Sequence, residues 1–110
     1  MENISKSISI ADITGRGGSA FTFVESTEKS YVFILAGGAS REAQFDDFYK
    51  IFVSKEDDSI TAEKLNIKEM DGFGARHSFS AATCNGKTVL FGGQDVINET
   101  VFNELFTYDH

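Results

Sequence analysis

The sequence predicts an all-β protein made of two four-stranded antiparallel sheets. Eight short apolar segments follow one another at a spacing of roughly 8 to 15 residues, a pattern typical of a meander of strands. Glycine, rather than proline, punctuates the connections, and the chain contains no proline to interrupt a strand. Part of the pattern also occurs twice, about 55 to 60 residues apart. Repeats with a period of roughly 50 residues are typical of propellers or solenoids.

The first half of the chain contains five of the predicted strands. Residues 4–10 place Ile on even positions between Ser and Lys, which predicts an outer strand with one buried face. Residues 31–36, YVFILA, are continuously apolar and predict a strand that is buried on both faces. Residues 63–65 also suit a short helix, but the loops on either side favour a strand. The remaining strands of this half are predicted at residues 20–24, 48–53 and 60–67.

The second half, residues 74–110, repeats this order of elements. Asn85-Gly86 is a strong hairpin signal between two apolar segments. The strands of this half are predicted at residues 79–84, 88–91 and 103–108. Core residues of the second strand in each sheet are expected to be Val32, Ile34, Val89 and Phe91.

Composition excludes several classes of partner. The chain has 17 acidic and 10 basic residues, a formal net charge of −7, and no basic cluster for a phosphate backbone or an anionic membrane. Its single cysteine, Cys84, cannot form an internal disulfide, which favours a reducing compartment. No apolar run approaches the roughly 18 residues of a membrane span, and the first residues lack the apolar run of a signal peptide. The sequence therefore predicts a cytoplasmic protein that binds neither nucleic acid nor membranes.

Two arginines and two glycine pairs mark the internal repeat. Arg16 corresponds to Arg76, and Gly37-Gly38 corresponds to Gly92-Gly93. A glycine pair permits close approach of backbones where neighbouring sheets crowd. Because a guanidinium group can bond several carbonyl oxygens at once, both arginines are expected to brace loops.

The second copy combines these residues with others at characteristic spacing. Arg76-His77-Ser78 precede an apolar strand that ends at Gly92-Gly93, and the last strand ends in Tyr108-Asp109. This combination resembles the kelch family of β-propellers. The first copy departs from the pattern at Gly17-Gly18, which stand in place of His77-Ser78, and the chain lacks the tryptophan usual in the outer strand of the family.

The resemblance implies that residues 1–110 form part of a kelch propeller. Residues 1–10 would be an outer strand, residues 14–67 the first repeat and residues 74–110 the second repeat. Because a propeller typically has about four to eight blades, two blades do not close a ring. We expect the ring to be completed by oligomerisation, with three chains giving six blades, or by blades that this chain lacks. In an oligomer, residues 1–10 would complete the last blade of a neighbour.

The resemblance implies a non-catalytic module for protein–protein interaction. His77 and Cys84 are the only soft metal ligands near each other, too few for a metal site, and no catalytic residue or cofactor motif is found. Some kelch-like propellers are copper oxidases or sugar mutarotases, but no residue here can be matched to their sites. The alternative is a subunit or fragment of a kelch-propeller enzyme that acts on a sugar or other small molecule in the channel.

The predicted partner site lies in the loops at one end of the strands. In a meander, alternate loops share one end, and binding residues are concentrated in loops. The longer loops are predicted at one end of the strands, at residues 11–16, 39–46, 68–76 and 94–102. The shorter loops are predicted at the opposite end, at residues 25–30, 54–59 and 85–87. The residues predicted to face a partner are Arg41, Glu42, Gln44, Lys68, Asp95 and Asn98.

Overall fold

The computed structural model describes residues 13–57, 59–65, 74–95 and 97–109. Within these ranges the chain forms nine strands, every pairing is antiparallel, and no helix occurs. The strands are β1 (Ala20–Ser26), β2 (Ser30–Ala36), β3 (Phe48–Ser54), β4 (Ile60–Leu65), β5 (Ser80–Cys84), β6 (Lys87–Phe91), β7 (Gln94–Asp95), β8 (Thr100–Val101) and β9 (Leu105–Asp109). The all-β prediction is confirmed.

The first sheet is a four-stranded meander in the order β1-β2-β3-β4. Its register places Ala36 between Ala20 of β1 and Phe48 of β3. A bulge after Phe23 shifts the pairing of β1 with β2. Burial of β2 is less complete than its apolar sequence predicts: one face is buried, whereas Phe33 on the other face is only partly buried.

Within the described residues the second sheet has three strands, in the order β5-β6-β9, which overlap the segments predicted at residues 79–84, 88–91 and 103–108. Its predicted fourth strand, residues 1–10 of a neighbour, lies outside the described residues. Asn85 and Gly86 form the predicted two-residue hairpin turn with positive φ angles of 49° and 78°. An additional hairpin, β7-β8, lies in the segment predicted to be a loop. Positive φ angles at Gly92 and Gly93 turn the chain out of β6, and Gln94 then pairs with His77 instead of extending the sheet.

The core lies where the two sheets face each other. Four of its buried members come from strands of the first sheet, namely Ala20, Ile34, Ala36 and Phe48. Two come from the second repeat: Leu90 on β6, and Phe79 just before β5. Across this interface the hydroxyl oxygens of Thr22 and Thr83 lie 3.2 Å apart. The rings of Phe48 and Tyr108 also meet, with their centroids 6.3 Å apart. One face of each sheet is therefore covered by the other sheet.

Two of the four residues predicted to be in the core are not fully buried. Val32 and Ile34 are buried, as predicted, but Val89 is only half-buried and Phe91 is 52% exposed. Side chains alternate between the faces of a strand, so Phe91 points away from the first sheet because its neighbour Leu90 points towards it. The prediction that Phe91 is a core residue is therefore wrong.

The internal repeat is visible in the backbone hydrogen bonds. Gly17 and Ala39 exchange two bonds, of 2.8 and 2.9 Å, between their amide and carbonyl groups. Their counterparts in the second repeat, His77 and Gln94, exchange the same two bonds, of 3.1 and 2.9 Å. The same arrangement forms although the side chains differ, because only backbone groups take part.

Some predictions lie outside the described residues. These are the outer strand at residues 4–10 and the last two residues of the strand predicted at 60–67. Among the described residues, no helix offers the length and apolar character needed to cross a membrane.

Candidate functional site

Arg16 joins three segments of the first repeat. Its Nε donates to the carbonyl of Thr14 at 3.0 Å, and its Nη1 donates to the carbonyl of Gly37 at 3.3 Å. The guanidinium group also forms a two-pronged ion pair with Asp47, in which Nη2 lies 3.3 Å from Oδ2. The ring of Phe45 lies under the guanidinium carbon at 3.9 Å.

Arg76 makes the corresponding contacts in the second repeat. Its Nε donates to the carbonyl of Gly74 at 3.2 Å, and its Nη1 donates to the carbonyl of Gly92 at 3.2 Å. Nη2 lies 3.6 Å from Oε1 of Glu104, which takes the place of Asp47. Phe102 lies under the guanidinium carbon at 3.7 Å, as Phe45 does in the first repeat. Both arginines therefore hold the turn before a sheet to the glycine that ends its second strand.

Burial and pairing act in opposite directions on the pKa values of Asp47 and Arg76. Burial by itself raises the pKa of Asp47, but the hydrogen bonds and charge of Arg16 outweigh it, so the pKa lies below its usual value. Burial lowers the pKa of Arg76, and the charge of Glu104 offsets part of that change. The Arg16–Asp47 contact is therefore an ion pair at neutral pH, which fits a bracing role.

At the loop end of the strands, the carboxylate of Asp95 connects the two repeats. Nε2 of Gln44, in the first repeat, donates to Oδ1 of Asp95 at 2.7 Å. Nδ2 of Asn98 donates to Oδ2 at 2.7 Å, and its backbone amide donates to Oδ1 at 3.1 Å. The hydrogen bonds from Asn98, and next those from Gln44, lower the pKa of Asp95 to about 2. The carboxylate is thus charged at neutral pH and holds loops of both repeats together.

A cleft of about 400 Å³ lies beside this junction. Its wall is formed by the loop after β2 together with two residues of the second repeat. The lining residues are Ala39, Ser40, Arg41, Glu42, Ala43, Gln44, His77 and Ile97. Ser40 Oγ accepts the amides of Glu42 and Ala43 at 3.2 and 3.3 Å, which fixes the turn that presents Arg41 and Glu42. The cleft therefore combines two exposed charged residues with the apolar side chain of Ile97, which is 74% exposed.

His77 forms a local contact at this end of the molecule. Its Nδ1 lies 2.8 Å from Oγ of Ser78. In a Ser-His-Asp triad, by contrast, the serine bonds Nε2 and the acid bonds Nδ1. Within the described ranges, no group of three or more His, Cys, Asp or Glu side chains could hold a metal ion. The contact of His77 with Ser78 therefore differs from that of a hydrolytic triad.

The structure brings together five of the six residues predicted to face a partner. Gln44 and Asn98 both donate hydrogen bonds to Asp95, and Arg41 and Glu42 line the adjacent cleft. The sixth, Lys68, lies outside the described residues. The motif residues Tyr108 and Asp109 lie on β9, away from the cleft, where Asp109 pairs with Lys87 at 3.8 Å.

Sequence reasoning missed three residues at this end of the molecule. Ile97 is a large apolar side chain in a polar loop, and Ser40 lies two residues before Glu42 in an arrangement typical of a serine-capped turn. Both signals were present in the sequence. Glu104 was not expected to pair with Arg76, although its position relative to Asp47 follows the repeat.

Comparison with protein-family models gave no match, and comparison with curated protein sequences gave no significant match.

Proposed function

We propose that this chain is a non-catalytic protein–protein interaction module built from two blades of a kelch-type β-propeller. Two sheets packed face to face, with equivalent arginine and glycine contacts in each, support the propeller part of the proposal. The repeated glycine pair and the apolar faces of both sheets fit neighbouring blades that crowd around an axis.

The proposed binding surface is the loop end that carries Arg41, Glu42, Gln44, Asp95 and Asn98. Lys68, which lies outside the described residues, is included in the proposal from the sequence alone. The observation that carries it is the bonding of Asp95 to Gln44 and Asn98, which joins loops of both repeats into one surface. A surface that is already ordered costs less entropy to bind than separate mobile loops. Exposed Ile97 adds an apolar contact to a polar rim, a composition common in protein interfaces.

The alternative function, in an enzyme acting on a sugar or other small molecule, has one feature in its favour. The cleft of about 400 Å³ falls within the size range of ligand pockets. Its lining, however, includes two alanines and a serine, and the serine hydroxyl is already engaged by the backbone. Binding of a protein loop fits this surface better than conversion of a substrate.

Affinity capture with surface variants tests the proposal. The test variant carries Arg41→Glu, Glu42→Arg and Ile97→Asp, which reverse two charges and remove the apolar contact. The matched control carries Glu28→Lys and Lys29→Glu, which lie in the exposed turn between β1 and β2 at the other end of the strands. We expect the cell-lysate proteins that the unmodified chain captures to be lost from the test variant and retained by the control. Equal capture by both variants would overturn the proposal, and thermal stabilisation by a panel of sugars would favour the enzyme instead.

A further inference from the structure

Each sheet has one face packed inside the chain and one open face. Ile34 and Ala36 lie on the packed face of the first sheet, and their counterparts in the second repeat are Val89 and Phe91, on its open face. In the second sheet Leu90 lies on the packed face, and its counterpart Leu35 lies on the open face of the first sheet. The two open faces therefore correspond, by the repeat, to the two faces that already bind each other inside the chain.

Both open faces expose apolar side chains. On the second sheet, Phe91 and Leu105 are direct cross-strand partners and are 52% and 61% exposed. On the first sheet, Phe21 and Phe23 are 57% and 49% exposed and pack around Phe33, with ring centroids 4.9 and 5.5 Å apart. Adjacent exposed apolar residues of this kind mark interaction surfaces.

Backbone hydrogen bonds link the repeats at the loop end of this interface. The amide of Gly38 donates to the carbonyl of Arg76 at 2.9 Å, and the amide of Arg76 donates to the carbonyl of Phe45 at 3.3 Å. The amide of Ser78 donates to the carbonyl of Gly18 at 2.7 Å. The turn at residues 76–78 is thereby fastened to the first repeat.

Each amide and carbonyl in these three bonds has a counterpart one repeat further along, and these counterparts lie at the two open faces. On the second repeat they are the amide of Gly93 and the carbonyls of Phe102 and Ser78. On the first repeat they are the amide and carbonyl of Arg16 and the amide of Gly18. Within the described ranges, none of these six groups takes part in a backbone hydrogen bond. Donors on one face thus match acceptors on the other.

A cavity marks the position at which a further turn would lie. It is open to one side, has a volume of about 250 Å³ and is lined by Ser78, Gly93, Gln94 and Val101. The corresponding position in the first repeat is occupied: a Cβ atom placed on Gly18 would lie 3.3 Å from His77 Cβ and from Ser78 N. The second repeat therefore has an open position of the kind that the turn at residues 76–78 occupies on the first.

We propose that the open face of the second sheet binds the open face of the first sheet in a second copy of this chain. The turn at residues 16–18 of that copy would occupy the cavity beside Ser78 and Gly93. Inside the chain Thr22 meets Thr83; between copies, the equivalent contact is Ala82 against Phe23. A small side chain thus faces a large one where two medium ones meet inside the chain.

Such an interface is head-to-tail, because it joins two different faces. Head-to-tail contacts either close into a ring or continue as a filament. A propeller of about four to eight blades corresponds to about two to four copies of a two-sheet chain, and three copies give the six-bladed ring.

Two single variants measured by sedimentation velocity test the interface. Phe91→Asp blocks the open face of the second sheet, and Phe23→Asp blocks that of the first. Each residue is about half exposed, so each variant should keep the fold, which circular dichroism verifies. Ile97→Asp is the matched control, because Ile97 is 74% exposed but lies in the loop cleft and on neither face.

We expect the unmodified chain and Ile97→Asp to sediment as species larger than the 12.1 kDa monomer. Phe91→Asp alone and Phe23→Asp alone should be monomers, and their equimolar mixture should form a dimer, since each variant retains the face that the other lacks. An unmodified chain that stays monomeric would overturn the proposal. So would assembly that only one of the two variants loses, or a mixture of the two variants that remains monomeric. The triple variant that tests capture of a partner changes only the loop cleft, and the Phe91→Asp and Phe23→Asp variants change only the open faces, so the two proposals fail separately.

Discussion

The guanidinium carbon of Arg76 lies 3.7 Å above the ring of Phe102, and the arginine side chain is only 1% exposed. The same stacking recurs between Arg16 and Phe45 at 3.9 Å. An arginine stacked on an aromatic ring is attracted by its π-electrons while its edge remains free to bond carbonyl oxygens. Each repeat is therefore braced by one arginine side chain, which contacts an aromatic ring, a carboxylate and the carbonyl of a glycine.

Replacing Arg76 by Lys should destabilise the fold by about 2 to 4 kcal/mol. Lysine keeps the charge but cannot bond the carbonyls of Gly74 and Gly92 together while stacking on Phe102. Urea unfolding measures the change in the free energy of unfolding.

Lys87→Met serves as the control for this prediction. Lys87 pairs with Asp109 at 3.8 Å, but both side chains are more than half exposed, so its loss should change stability by less than about 1 kcal/mol. Equal effects of the two substitutions would show that Arg76 does not brace the repeat.

Alanine should be tolerated better at Gly92 than at Gly37. Both glycines have positive φ angles, of 78° and 60°, so both substitutions carry backbone strain. A Cβ atom at Gly37 would also lie 2.7 Å from Phe79 Cε1 and 2.8 Å from the carbonyl oxygen of Arg76, whereas at Gly92 the nearest atom is 3.5 Å away. Gly37→Ala should therefore cost about 1 to 3 kcal/mol more in the free energy of unfolding. A larger loss at Gly92 would contradict this assignment of crowding.

Leu90→Ala and Phe91→Ala should differ although the residues are neighbours on β6. Leu90 is 1% exposed in the core between the sheets, so its truncation should cost about 2 to 5 kcal/mol. Phe91 is 52% exposed, and its truncation should cost about 1 kcal/mol or less within one chain. Thermal and urea unfolding should be compared in the Phe23→Asp background, so that contacts between copies do not contribute. Equal losses would place both side chains in the core.

Asp95 should titrate near pH 2 because Asn98 and Gln44 donate hydrogen bonds to its charged form. A carboxyl whose pKa is lower in the folded state stabilises the fold above its ordinary pKa. That contribution is lost as the pH falls towards about 2. The stability difference between the unmodified chain and Asp95→Asn should therefore shrink as the pH falls from neutral to about 2.

Carbon-13 NMR of the Asp95 carboxyl group gives the pKa directly. Gln44→Ala removes one donor and should raise that pKa, while Lys29→Ala, at the other end of the strands, should leave it unchanged. No response to Gln44→Ala would show that the two loops are not joined in solution.

The positions of the strands follow from local signals in the sequence. The apolar run at residues 31–36 lies within β2, and Asn85-Gly86 forms the tight turn between β5 and β6, because strand propensity and turn chemistry depend on adjacent residues. The internal repeat can also be detected from the sequence, since equivalent residues recur at nearly constant spacing. The clustering of Gln44, Asp95 and Asn98 agrees with the predicted grouping of loops, and their role in binding a partner stays a prediction.

Only the tertiary structure decided which face of each strand is buried. Three consecutive apolar residues, Val89, Leu90 and Phe91, show no alternation that would separate a packed face from an open one, so Phe91 and Leu90 are equally good core candidates by sequence. The first sheet covers the face of Leu90 and leaves that of Phe91 open. The β7-β8 hairpin and the bond from Gln44 to Asp95 likewise depend on chain segments that meet only after the two repeats pack together. Local sequence patterns determined where the strands of this protein lie. Packing between the sheets decided which side chains of each strand are buried, because burial depends on neighbours that are distant in sequence.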